Sequence, residues 1–142
     1  MAAIFYQTTH CADLPCRSRI EWLGEDDCAK LNEQLALAGQ KPLKEKLFRE
    51  MYRKDLARYC LLYHEGVPVT RGAVEPYSPQ AWEAGDIRTV PDWRGKGFAK
   101  EMLQFLTQYI ISHGKTATCH TEDDNLAMQA VIEFTGYQEL KQ

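Results

Sequence analysis

Pro91-Asp92-Trp93-Arg94-Gly95-Lys96-Gly97 holds too many breakers to be helix or strand, and it separates two segments of different period. Upstream, Ala84 to Val90 reads as a strand, weakened by Gly85 and Asp86. Downstream, Phe98, Met102, Phe105, Leu106, Tyr109 and Ile110 recur on one helical face, and Gly114 is a natural stop. Thr116 to Thr121 is β-branched and predicts the next strand, and a final helix is expected from about Asn125 to Thr135, stopped by Gly136. The second half of the chain therefore reads strand, glycine turn, helix, strand, helix.

The first half supplies the remaining elements. Ile4-Phe5-Tyr6 opens a strand, and Asp26 or Asp27 caps a helix with Cys28, Leu31, Leu35 and Ala38 on its apolar face and Gly39 at its end. Pro42 suits the first turn of a second helix, with Leu43, Leu47, Phe48, Met51 and Leu56 as its buried stripe. Its many charges, spread from Lys41 to Arg58, read as a solvated face. Tyr59 to Tyr63 and Val67 to Val69 flank His64-Glu65-Gly66, which predicts a β-hairpin. The fold class is mixed α/β.

Composition sets outer limits. The 142 residues, 44% hydrophobic, suffice for one packed core, so residues 1–142 are expected to form a single domain. Lys+Arg 17 against Asp+Glu 20 leaves a net charge of -3, which disfavours a nucleic-acid partner. No apolar run approaches the roughly 18 residues of a membrane helix, so no membrane partner is expected. Cys11, Cys16, Cys28, Cys60 and Cys119 form no C-x-x-C pair and are odd in number, which points to reduced thiols and a cytoplasmic location. His10, Cys11 and Cys16 lack a fourth ligand and match no common zinc spacing, so no metal is expected. Cys119 and His120 are neighbours on a strand and point to opposite faces, which excludes a thiol–imidazole dyad.

The glycine turn carries the chemistry. A strand that ends in such a turn and enters a helix aims backbone N–H groups at one point, at the positive end of the helix dipole, and binds phosphate there. Gly95 and Gly97 let the main chain approach a ligand, Ala99 keeps the next turn small, and Arg94, Lys96 and Lys100 add positive charge. Two glycines by themselves also suit an ordinary tight loop. The spacing fits neither the dinucleotide fingerprint, where Lys100 replaces the third small residue, nor a P-loop.

What these residues resemble is the acetyl-CoA signature [QR]-x-x-G-x-[GA] of the GNAT superfamily of N-acetyltransferases, met by Arg94, Gly97 and Ala99. A second family pattern, N-x-x-A-x-x-x-Y-x-x-x-G-F, is matched at Asn125, Gly136 and Tyr137, with Met128 at the Ala position and Ile132 at the Tyr position. The resemblance spans roughly Ala84 to Leu140. It implies a mostly antiparallel central sheet flanked by about four helices, and acetyl transfer from acetyl-CoA to a primary amine of a small molecule or protein. By this resemblance the backbone from Gly95 through Lys96, Gly97, Phe98 and Ala99 to Lys100, with Arg94 beside it, would hold the CoA pyrophosphate. The main chain at Thr89 and Val90 would pair with pantetheine, and Asn125 would lie beside the CoA arm.

Direct attack of a neutral amine on a thioester needs a base, an oxyanion donor and a proton for the thiolate. Glu83 and Asp86, and behind them Glu75, are the candidate bases; each also reads as a surface acid. His120 could reach the acyl site from its strand. Ile132 stands where many family members have a proton-donating tyrosine, so turnover is expected to be slow; a CoA-binding module without catalysis is the alternative. Family members usually follow the last helix with two antiparallel strands, whereas Tyr137 to Gln142 suffices for one. An exposed sheet edge, and a homodimer covering it, are therefore expected.

Overall fold

Along Tyr59-Cys60-Leu61-Leu62-Tyr63, alternate side chains enter two different clusters. Cys60 and Leu62 pack with Met102, Leu103, Leu106 and Ile110, whereas Leu61, Tyr59 and Tyr63 pack with Cys28, Leu31 and Phe48. A strand with two apolar faces belongs inside a sheet covered on both sides. In the computed structural model, which describes residues 2–11 and 16–141, that strand lies in a seven-stranded sheet.

The elements run β1 (Ala3–Thr8), β2 (Arg19–Trp22), α1 (Cys28–Leu37), α2 (Glu45–Arg53), β3 (Arg58–His64), β4 (Val67–Glu75) and β5 (Ala81–Thr89). A 3-10 turn (Pro91–Trp93) follows, then α3 (Phe98–Ser112), β6 (Thr116–Glu122), α4 (Leu126–Thr135) and β7 (Gln138–Glu139). The spatial order is β2-β3-β4-β5-β6-β1-β7, antiparallel throughout except where β5 meets β6. Helix α1 packs on β3 and β4 from one side. On the other side α3 packs on β4, β5 and β6, and α4 packs on α3 and β6. This is the expected mixed α/β architecture with four helices.

Several local expectations change. Pro42 lies outside the second helix, which begins at Glu45: the Asn32 side chain accepts from the Leu43 amide at 2.8 Å and donates to its carbonyl at 3.0 Å, holding that segment extended against α1. The predicted stripe of α2 narrows to Phe48, and Leu47 and Leu56 face solvent. Asp27 occupies the N-cap position of α1, but its carboxylate accepts from the Gly24 amide at 2.7 Å instead of from the helix. Strand β2 was not foreseen. Its four residues lie at the sheet edge and bury no side chain completely, which leaves only a weak apolar signature.

The largest difference concerns the C-terminal strands. β7 is one short strand, and its antiparallel partner is β1, which inserts between β6 and β7. The partner strand after the last helix is thus supplied from the other end of the chain. The open edges of the sheet are β2 and the two-residue β7.

Candidate active site

Strands β5 and β6 run parallel and pair only at Ala81–Thr116, Trp82–Ala117 and Glu83–Thr118. Beyond these pairs β5 continues to Thr89 bound to β4, and β6 continues to Glu122 bound to β1. The strands part, and two backbone edges face each other across a gap. The Val90 amide donates to the Val69 carbonyl at 2.8 Å, and the Val90 carbonyl accepts from Trp93 at 2.9 Å. Antiparallel pairs alternate between hydrogen-bonded and non-hydrogen-bonded, so the next pair, Thr70–Thr89, turns the Thr89 N–H and C=O away from β4 and toward the gap. Of the two residues expected to offer main chain to a ligand, Thr89 is so oriented and Val90 is spent. The Thr89 carbonyl already accepts from Arg94 Nε at 3.2 Å.

The glycine turn follows directly. Gly95 and Gly97 both take left-handed φ, 78° and 87°, which L side chains adopt at a cost. A Cβ at either position would meet no protein atom within 4 Å, so conformation rather than crowding calls for glycine here. Gly97 is the N-cap of α3, and no side chain caps this helix. The amides of Phe98, Ala99 and Lys100 thus begin a 15-residue helix without a side-chain acceptor, as an anion site requires. Lys96 is exposed, while Lys100 lays its ammonium over the Phe134 ring at 4.0 Å. Glu101, in the same first turn, is drawn aside by the Arg17 and Ser18 amides and the Ser18 hydroxyl, at 2.9 to 3.1 Å. Asn125 is the N-cap of α4: its side-chain oxygen accepts from the Met128 amide at 3.1 Å. Glu122, Asp123 and Asp124 precede the cap.

At the vertex of the gap two predicted residues meet. Ala84, Ala117 and Cys119 enter the cluster under α3, so Glu83, Thr118 and His120 lie on the opposite face of the sheet. There Glu83 Oε2 lies 2.7 Å from His120 Nδ1, and Glu83 Oε1 accepts from the Thr118 hydroxyl at 3.3 Å. The Glu83 side chain is 19% exposed and that of His120 48%, so the carboxylate is sheltered and the imidazole reaches solvent. In the neutral tautomer that donates Nδ1–H to Glu83, Nε2 carries a lone pair. Glu75 stands opposite Glu83 in the β4–β5 register, and burial, then the Glu83 charge, push its carboxyl above the ordinary range. Cys119 is buried on the far face, its thiol pushed up by burial.

Asp86 is placed differently. It sits in a β-bulge of β5 with φ 48°, and both carboxylate oxygens are taken: Oδ1 by Arg71 Nη2 at 2.9 Å and Oδ2 by the Tyr59 hydroxyl at 2.8 Å. Arg71 is buried beneath α1 and also donates to the side chains of Gln34 and Gln40. Sequence reasoning missed Thr118, Tyr77, whose hydroxyl meets Thr118 Oγ1 at 3.1 Å, and the Arg71–Tyr59 support of Asp86. Thr118 was legible as a same-face neighbour of His120; the others depend on which strands lie side by side.

Ile132 is fully buried, and Tyr137, also buried, shares a hydrogen bond of 2.7 Å with the Thr107 hydroxyl. Neither is placed as a proton donor at the gap. Among the described residues there is no group of three or more histidines, cysteines or acids suited to a metal ion, and no helix long and apolar enough to cross a membrane.

The sequence model of the Acetyltransferase (GNAT) family matches residues 20–137. The chain belongs to this family. Solved structures share the fold at low identity. A GNAT-family acetyltransferase of Colwellia psychrerythraea is 23% identical with a TM-score of 0.76, covering 96% of this chain and 52% of its own. A GNAT-family protein of Novosphingobium aromaticivorans is 20% identical with a TM-score of 0.70, covering 98% and 60%. The yncA protein of Salmonella typhimurium, solved with acetyl-CoA, is 16% identical with a TM-score of 0.67, covering 84% and 79%. This GNAT chain thus spans little more than half the length of the first two. No curated protein sequence matches it.

Proposed function

We propose that this GNAT protein transfers the acetyl group of acetyl-CoA to a primary amine, with residues 1–142 acting as one catalytic unit. The observation that carries the reading is the Glu83–His120 pair at the vertex where β5 and β6 part, in the same gap that Thr89 faces and the α3 N-terminus follows. The uncapped amides of Phe98, Ala99 and Lys100, with Lys96 and the left-handed glycines, suit a pyrophosphate. The Thr89 N–H, turned toward the gap, suits the carbonyl of an amide-bearing arm.

In this reading His120 Nε2 takes a proton from the acceptor ammonium while Glu83 holds the ring by Nδ1–H and balances the imidazolium charge. The neutral nitrogen attacks the thioester carbonyl, the new C–N bond forms, and the C–S bond breaks to release CoA thiolate; the nitrogen loses its second proton to solvent, and the thiolate takes one up from water. A thiol with an ordinary value of about 8.5 leaves without a positioned acid, at reduced rate.

Two measurements test this. Millimolar CoA should raise the melting temperature, and Gly97→Asp should abolish the rise by placing a carboxylate and a strained φ at the turn. Amine-dependent release of CoA thiol should fall by about 10²- to 10⁴-fold in His120→Ala with the CoA shift intact. One observation favours a second reading, a CoA-binding module without turnover: Ile132 cannot donate a proton, and the Tyr137 hydroxyl is engaged by Thr107. Tyr137→Phe should cost about 1 kcal/mol of stability and leave turnover unchanged, whereas a large loss of turnover would make Tyr137 the proton donor. CoA binding with no amine ever releasing thiol above background would establish the second reading.

A further inference from the structure

On the face that carries Glu83 and His120, the sheet presents an uncovered apolar row. Phe5 of β1 lies directly opposite His120 of β6, with ring centroids 5.7 Å apart at 35°. Leu140 donates its amide to the Phe5 carbonyl at 2.8 Å, continuing the β1–β7 register, so that it falls opposite Phe5 on the other side. Phe5 is 44% exposed and Leu140 41%. Phe5 is not at a sheet edge, because β1 is paired on both sides, and α1 lies chiefly over β4 and β3. Tyr77, 60% exposed, is tied by its hydroxyl to Thr118, the neighbour of His120 on the same face. A phenylalanine held open in the middle of a sheet, in ring contact with the candidate base, is a surface suited to a ligand.

Charge complements this shelf. It ends at Glu83, with Glu75 across the β4–β5 register and Asp86 three residues on, all on the same side of the sheet as α1. Burial and then the Glu83 charge push the Glu75 carboxyl up, His120 offsets part of this and Asp86 adds to it, so positive charge is favoured at this end of the shelf. Next to His120 the Thr118 hydroxyl is already engaged by Tyr77, the Trp82 carbonyl and Glu83. The surface offers ring faces and a leucine beside carboxylates, with the exposed side-chain amides of Gln7 and Gln138 further along the same face.

We infer that the acceptor is a primary amine bearing an aryl group, its ring lying on Phe5 and its ammonium at Glu83 beside His120. This rests on the acetyltransferase reading above. The test uses acetyl-CoA with 2-phenylethylamine, n-propylamine and spermidine, following CoA thiol release. The expected result is a kcat/KM for 2-phenylethylamine about 10- to 100-fold above that for n-propylamine, the value of burying one ring. Phe5→Ala should remove most of that ratio through KM for the aryl amine, and Phe5→Leu should retain part of it. A CoA-induced melting shift in both variants confirms that they are folded. Spermidine or n-propylamine turned over as well as 2-phenylethylamine overturns the inference while leaving the acetyltransferase reading standing. So does unchanged selectivity in Phe5→Ala, including the case where Phe5→Glu dissociates a dimer and the shelf proves to be a contact between copies. Release from no amine, with the CoA shift present, overturns both.

Discussion

Glu83 and Asp86 carry the same group three residues apart on one strand, and their partners give them different work. Asp86 is clamped between the Arg71 guanidinium and the Tyr59 phenol, whose titration burial pushes up. Its charge is needed, because Arg71 is 4% exposed and its Nε has no hydrogen-bond partner. Glu83 faces an imidazole that is itself open to solvent. Asp86→Asn should therefore destabilise the protein by about 1–3 kcal/mol, below the full penalty for breaking a buried pair because Asp86 is half-exposed. Glu83→Gln should change stability by no more than about 0.5 kcal/mol, and should lower turnover by about 10²-fold or more. Urea denaturation and steady-state kinetics on the two variants check this; the reverse pattern would assign the base to Asp86.

Between elements, the contact most exposed to test is that of α3 with β4. Gly72 lies under this helix, where an added Cβ would come within 2.7 Å of Met102 Sδ and 3.0 Å of Leu106 Cδ1. Met102 and Leu106 are both fully buried, so neither side chain has open space to move into. Gly72→Ala should cost about 1–3 kcal/mol by overpacking, seen as a lower urea midpoint with unchanged slope. Helix α3 was legible in the sequence from Phe98 to its glycine stop because its apolar stripe is long and the turn before it is distinctive. The same clarity is why the glycine turn before it stood out as the candidate phosphate site. Helix α2 was read less well, since its start is decided by Asn32, a distant side chain that bonds Leu43, and no local pattern reports that. Glu83 and His120 were each chosen singly; that they touch depends on the parallel pairing of β5 with β6, which leaves no mark in either strand.

At the scale of the whole molecule, the period of a strand tells which side chains share a face but not which strand lies next to it. That is why β1 was recognised as a strand while its place between β6 and β7 was not. The placement has consequences for both the fold and the site. β1 buries Tyr6 in the main cluster and presents Phe5 beside His120, so one short strand both closes the core and furnishes the candidate acceptor surface. Its contribution to the ladder can be isolated at Gln7, which pairs with Thr118 on one side and Gln138 on the other and whose side chain is exposed. Gln7→Ala alters only that side chain and should shift stability by no more than about 0.5 kcal/mol. Gln7→Pro removes a backbone donor from an interior strand and should cost about 3 kcal/mol or more. With β1 loosened, the edges of β6 and β7 become unpaired, so faster amide exchange should appear at Cys119 to Glu122 and at Gln138 and Glu139. The hairpin of β3 and β4, five strands' breadth of sheet intact around it, should keep its protection until global unfolding. Equal exchange in β3 and β6 would show that the sheet opens as one unit, and that β1 is no more separable than any other strand.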